Sequence, residues 1–243
     1  MPLQGDQLSR MTIRGFKSIK NCDISFGKIN VLIGSNGAGK SNFISTFSFL
    51  QNILSKNLQV SVGQSGLSSL LYNGRKVTEE IDFEVFFGQN SYGFALIPTD
   101  DNRLIFREEY FGYHGGWNNA SPIGHGHSES HWESAAHNGI DDYVATILRK
   151  QNWRVYHFHD TGKDARVKQE HNISNNKMLL YDAANLAAFL YRLKNFFKPN
   201  YDEIVETIRL VAPYFDDFVL EPQEGNEEQI VLRWCQTGCE DVF

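Results

Sequence analysis

The sequence predicts an α/β fold, and three observations predict it. Between residues 29 and 54 an apolar β-branched run, a glycine-rich loop and a segment with helical spacing follow one another without a break. Residues 81–111 alternate apolar and polar side chains in three stretches separated by turns. Residues 182–215 hold two more segments in which apolar residues recur every three or four positions. Period two marks a strand and period 3.6 a helix, so both kinds of element are present.

In chain order, residues 11–19 and 21–26 read as two short strands leading into a third at 29–33 (Ile-Asn-Val-Leu-Ile). Residues 34–41 read Gly-Ser-Asn-Gly-Ala-Gly-Lys-Ser, a complete G-x-x-x-x-G-K-[ST] pattern between that strand and a helix. In the helix Phe43, Phe47, Leu50 and Leu54 share a face. The chemistry of the pattern follows from its residue types. Gly34, Gly37 and Gly39 permit positive φ and bring backbone N–H groups close to anionic oxygens. Ser35, Asn36, Ala38 and Asn42 add their amides, and the helix N-terminus adds partial positive charge. Lys40 is expected to reach the outer phosphates of a nucleoside triphosphate, and the Ser41 hydroxyl to hold Mg²⁺. No N-K-x-D guanine reader occurs, which favours adenine.

Residues 55–78 read mostly as connection. Residues 81–87, 92–97 and 103–111 form an antiparallel meander. Residues 112–139, rich in Gly, Ser, Asn and His, read as an exposed excursion. Its three close imidazoles, His125, His127 and His131, are a solvated loop or a zinc site, and the segment lacks a rigid frame for ligands. A helix over 140–151 and a strand over 153–160 follow. Residues 182–197 form the next helix, and 200–203 (Asn-Tyr-Asp-Glu) read as a capping box opening another. A hairpin around 224–226 closes the chain.

Net charge is −6 and the isoelectric point about 5.7, which argues against a broad nucleic-acid-binding surface. No uncharged apolar run approaches the roughly 20 residues that span a bilayer, and the N-terminus shows no secretory signal. Three cysteines make no disulfide framework. These features point to a cytoplasmic protein with reduced thiols.

The stretch 11–19 (Met-Thr-Ile-Arg-Gly-Phe-Lys-Ser-Ile) and the loop with its trailing Asn42 resemble ATPase heads of the ABC-like branch that includes the RecF, SMC and OLD proteins. Residues 153–161, 182–193 and 210–222 are similar to a group of bacterial predicted ATPases labelled AAA-type. The resemblance implies a P-loop NTPase: an ABC/SMC-like head with a P-loop core (1–56), an antiparallel β subdomain (79–111), a helical lobe (140–215) and a closing hairpin (216–243). It implies ATP and Mg²⁺ as ligands and ATP-dependent dimerisation of heads, with DNA repair or phage defence as settings.

It also implies a Leu-Ser-Gly-type signature, an apolar strand ending in Asp-Glu and a switch histidine, none of which occurs in the 243 residues. Hydrolysis is therefore expected only once a C-terminal half or partner chain supplies them. A nucleotide-responsive module without turnover is the alternative. In related heads the basic residue of the first strand approaches the phosphates, which makes Lys17 and Ser18 candidates; a surface lysine is the other reading. His159 occupies the place where such heads carry a lid-loop Gln. It either touches the attacking water or is a buried strand histidine.

Overall fold

The computed structural model describes residues 7–115, 119–135, 140–150, 154–156, 158, 162, 164–239 and 241–243. The chain divides into two compact units, Met1–Arg154 and Val155–Phe243.

The N-terminal unit is built on one six-stranded antiparallel sheet. Its strands are β1 (Arg10–Phe16), β2 (Ile19–Ser25), β3 (Ile81–Phe87), β4 (Asn90–Pro98), β5 (Leu104–Tyr113) and β6 (Asn119–Gly124), in the order β2-β1-β3-β4-β5-β6. Alternation decides which face is buried. Met11 and Ile13 of β1 point inward and pair across the sheet with Val85 and Phe83, while Arg14 points outward to Asp82 at 2.6 Å. Phe83 stacks on Phe94 with centroids 5.2 Å apart. The helices are α1 (Lys40–Leu54), α2 (Leu58–Ser65), α3 (Leu67–Leu70), α4 (Trp132–Ala135) and α5 (Ile140–Lys150). Phe49, Leu50 and Ile53 of α1, with Val144, Ile147 and Leu148 of α5, join the sheet in one apolar core.

Four expectations change here. The meander is not a separate subdomain, because β3 pairs directly with β1 and so continues the opening hairpin. The 55–78 connection contains α2 and α3, anchored by buried Leu58, Val62, Leu67 and Leu70. The 112–139 excursion supplies β6 and buries Ser130 and Trp132. Residues 29–33 form no strand. Ile29, Val31 and Ile33 are 87, 75 and 92% exposed, because no described strand lies beside them to complete a ladder. The composition favours extension, but strand structure needs a neighbour.

The C-terminal unit holds β7 (His171–Asn172), α6 (Leu186–Phe196), α7 (Lys198–Val211), β8 (Phe215–Val219), β9 (Pro222–Gln223), β10 (Asn226–Ile230) and β11 (Arg233–Gln236). Two small sheets form, β7-β10-β9 and β11-β8. Ala188, Leu190, Tyr201, Val205, Phe215 and Ile230 make its core. The expected 140–215 lobe is thus divided, with α5 packed in the N-terminal unit. The expected 182–197 helix begins at Leu186, since Asn185 is buried with its amide bonding the carbonyls of Asn175 and Met178. The capping box at 200–203 is not used: α7 starts two residues earlier, with Pro199 in its first turn, where its fixed φ suits a helix and its missing N–H is not needed.

Asp217 ties this unit together. It accepts hydrogen bonds from Tyr201 and, at 2.9 Å, from Lys194. Burial pushes its carboxyl up, but the donors Tyr201, Lys194 and the Phe218 N–H outweigh burial and hold it below the ordinary carboxylate value. A depressed folded value stabilises the fold above the unfolded value, near 3.9, and that contribution is lost as pH falls through the folded value. In an acid titration followed by circular dichroism, Asp217→Asn is expected to be less stable than the parent at pH 7. Its stability should also fall less steeply than the parent's below about pH 4. Parallel acid limbs would contradict this.

Candidate nucleotide site

The loop at 34–41 is shaped by its glycines. Gly37 and Gly39 have φ of +83° and +94°, the left-handed region that side chains disfavour. A Cβ on Gly34 would come within 3.2 Å of the Ala38 Cβ. Beyond Gly37 nothing lies within 4 Å of where its Cβ would be, so the loop opens outward. Gly39 then caps α1, whose first turn carries no acidic residue. The first N–H groups of a helix lack intrahelical acceptors, and here no carboxylate in that turn competes for them. The Ser41 hydroxyl is exposed at the same end.

Lys40 does not extend into the opening. Its ammonium donates to the carbonyls of Gly34 at 2.6 Å and Ser35 at 2.8 Å, closing the loop on itself. Those are the bonds a polyanion must replace. The donor set fits a phosphate chain: backbone N–H groups, a primary ammonium, and a hydroxyl positioned to join phosphate oxygens around a divalent cation.

Ser18, in the turn between β1 and β2, lies against this end of α1. Its Oγ accepts from Asn42 Nδ2 at 2.7 Å and sits 3.5 Å from where a Gly39 Cβ would be. The structure therefore brings Ser18, Gly39 and Asn42 together. Lys17 is aimed elsewhere. Its Nζ donates to Ser45 Oγ at 2.9 Å, one turn into α1, and lies 5.4 Å from the Phe16 ring centre. Burial lowers its pKa. Its backbone is left-handed, with φ +49°. His159 falls outside the described residues.

The far end of α1 is held by a strap that sequence reasoning read as a solvated loop. Trp132 Nε1 donates to the Leu54 carbonyl at 2.9 Å, one of the carbonyls a helix end leaves open. Glu129 accepts from the N–H groups of Leu58 and Gln59, at 2.8 and 3.0 Å, at the start of α2. The strap is fastened to the sheet by Glu109, which is fully buried. Its carboxylate accepts from Tyr92 at 2.6 Å, from Ser130 and from the His131 N–H at 3.0 Å, and contacts His127 Nε2 at 2.9 Å. Burial and the neighbouring Glu109 charge push the Tyr92 hydroxyl well above its ordinary value, so Tyr92 stays a donor. His127 is sandwiched between the rings of Phe106 and His131, at 4.5 and 4.3 Å. No metal-holding cluster of His, Cys, Asp or Glu occurs among the described residues. The signal for this hub was a glutamate inside an apolar strand. A bulge at Arg107, where Ala95 pairs with Glu108 and Leu96 with Phe106, shifts the alternation and turns Glu109 inward.

Residues 7–218 match the family described as the AAA ATPase domain. The chain belongs to that family. The matched span of the AAA ATPase domain takes in the phosphate loop, the whole described sheet, α6 and α7. Its fold class is α/β, as the sequence predicts, with a phosphate loop opening a helix beside an antiparallel sheet. Among solved structures, one described as "Structural biochemistry of ATP-driven dimerization and DNA stimulated activation of SMC ATPases" is 18% identical over 58% of this chain and 77% of that one, with a TM-score of 0.33. No curated protein sequence matches the chain. No helix among the described residues is long and apolar enough to cross a membrane.

Proposed function

We propose that this AAA ATPase domain binds Mg-ATP at residues 34–42, and that hydrolysis waits on a strand-bearing segment supplied by further chain or by a partner. The observation that carries the binding reading is the loop itself. Two left-handed glycines open onto a helix start with no carboxylate in its first turn, beside a primary ammonium and an exposed hydroxyl. Gly34, Ser35, Asn36, Gly37, Ala38 and Gly39 wrap the phosphates, Lys40 leaves its two carbonyls for the outer phosphates, and Ser41 faces Mg²⁺. Bound Mg²⁺ supplies charge neutralisation on the phosphate oxygens. Ser18 holds Asn42 and thereby the orientation of the first turn. Lys17 is one turn away and reaches the phosphates only by leaving Ser45.

The completion reading rests on residues 29–33. This run has strand composition, stands unpaired and leads directly into the loop. A segment pairing with it would also bring the strand-borne Asp-Glu pair for water and metal that the family resemblance implies. Pairing of two heads around ATP, and DNA as the eventual substrate, extend the same reading. Three free cysteines fit a reducing cytoplasm.

Calorimetry of Mg-ATP into the full chain, followed by a steady-state phosphate-release assay, tests both parts. One bound nucleotide per chain with no release above background is expected. Absence of binding heat with Mg-ATP, in a chain whose circular dichroism shows it folded, would remove the first part. Turnover by this chain alone would remove the second. If release stays absent after a strand-bearing segment is added in trans, the chain is a nucleotide-responsive module.

A further inference from the structure

We propose that a groove in the C-terminal unit is a docking site for a cationic, extended peptide segment of a partner protein. This goes beyond the nucleotide reading and does not rest on it. The groove has a volume of about 1340 Å³. Ile173, Tyr191 and Val231 give it apolar walls, and Glu221, Glu224 and Glu227 line it from the β9–β10 hairpin. Small-molecule sites run to roughly 1,000 Å³ and are concave and enclosed; this one is larger and open to solvent, a shape for a chain segment.

Charge decides what kind of segment. Residues 1–154 hold 14 of the 23 basic and 14 of the 29 acidic residues, so that unit is neutral by formal charge. Residues 155–243 hold the other 9 and 15, and so carry the whole net charge of −6. Within them Glu221, Glu224, Glu227 and Glu228 fall in eight consecutive positions, all exposed. The ion pairs described in this unit are Arg166–Asp182, Lys194–Asp217, Lys198–Asp202 and Arg209–Asp216, and none involves the hairpin. One cation, Arg233, lines the groove against three carboxylates.

Three carboxylates lining one groove repel, and a cationic partner relieves that repulsion as it binds. Nucleic acid does the opposite, because its phosphates would add charge of the same sign. Apolar walls beside a carboxylate rim match a strand-like segment in which basic and apolar side chains alternate, since such a segment presents them on opposite sides. This assigns the groove to a basic protein segment and directs any nucleic-acid contact away from it.

Fluorescence anisotropy with the full chain tests the assignment. The probes are a labelled nonapeptide alternating Lys and Val, its Glu and Val counterpart, and a labelled single-stranded 20-mer oligonucleotide. Binding of the Lys peptide alone is expected, weakening as salt rises. Glu224→Lys with Glu227→Lys should weaken it about 10-fold. The same charge change made on α7, Glu203→Lys with Glu206→Lys, should leave it within about 2-fold. Tyr191→Ala should weaken it about 5-fold through lost apolar contact. Equal weakening by the hairpin and α7 variants would show attraction to net charge alone and overturn the proposal. So would oligonucleotide binding that the Lys peptide displaces, absence of peptide binding, or self-association in light scattering that hairpin charge reversal abolishes. Circular dichroism of each exposed-site variant confirms that it is folded.

Discussion

Lys40→Ala is expected to weaken Mg-ATP binding by about 10- to 100-fold while leaving the fold intact. A hydrogen bond to a charged group contributes roughly 1.5–3 kcal/mol, and 1.4 kcal/mol is tenfold in affinity. The ammonium is engaged before nucleotide arrives, donating to Gly34 and Ser35. Binding must break those two bonds, which discounts the gain and sets the lower end of the range. Both bonds lie in an exposed loop, so their loss should not move the thermal midpoint by more than about 2 °C. Calorimetry with Mg-ATP and a thermal melt of the same sample check the two halves. An unchanged affinity would mean that the phosphates are not held where Lys40 can reach them. A large fall in midpoint would mean that the loop is structural.

Glu109→Ala is expected to have the largest effect on stability in the N-terminal unit. The carboxylate is fully buried and serves Tyr92, Ser130, His127 and the His131 N–H. Removing it leaves several buried donors without an acceptor, and breaking such a network from one side costs roughly 3–5 kcal/mol. For a chain of this size that is a fall of about 10 °C in the melting midpoint. Glu109→Gln keeps the shape and part of the accepting capacity, and should fall by less. Because the hub fastens the strap that bonds Leu54 and the start of α2, the loss should also loosen the far end of α1. Hydrogen exchange at residues 50–60 would then rise in Glu109→Ala beyond what the global destabilisation predicts. Melting curves that superimpose on the parent would refute the hub.

The sequence was most legible where chemistry is local. Residues 34–41 announce themselves through glycine spacing, and the structure places their left-handed torsions at Gly37 and Gly39. The meander was legible for a similar reason: Ile81, Phe83 and Val85 alternate with Asp82 and Glu84, and period two survives without knowledge of the partner strand. What was not legible depends on contacts far along the chain. That β3 joins β1 rests on pairs such as Met11 with Val85. That Glu109 faces inward to meet His127 rests on a one-residue bulge at Arg107, which changes the inward phase of β5. The start of α7 was missed because Pro199, immediately ahead of the apparent capping box, sets the helix earlier. Residues 29–33 show the converse limit, since β-branched composition states a preference that only a neighbouring backbone can satisfy.

That unsatisfied run has a practical corollary for anyone concentrating the protein. A short, mostly β-branched stretch (Ile-Asn-Val-Leu-Ile) with no described strand partner, no charge and no proline is the kind of surface that recruits copies of itself into cross-strand stacks. Turbidity that grows steeply with protein concentration, and that a lysine placed at Val31 suppresses, would trace the stickiness to these five residues.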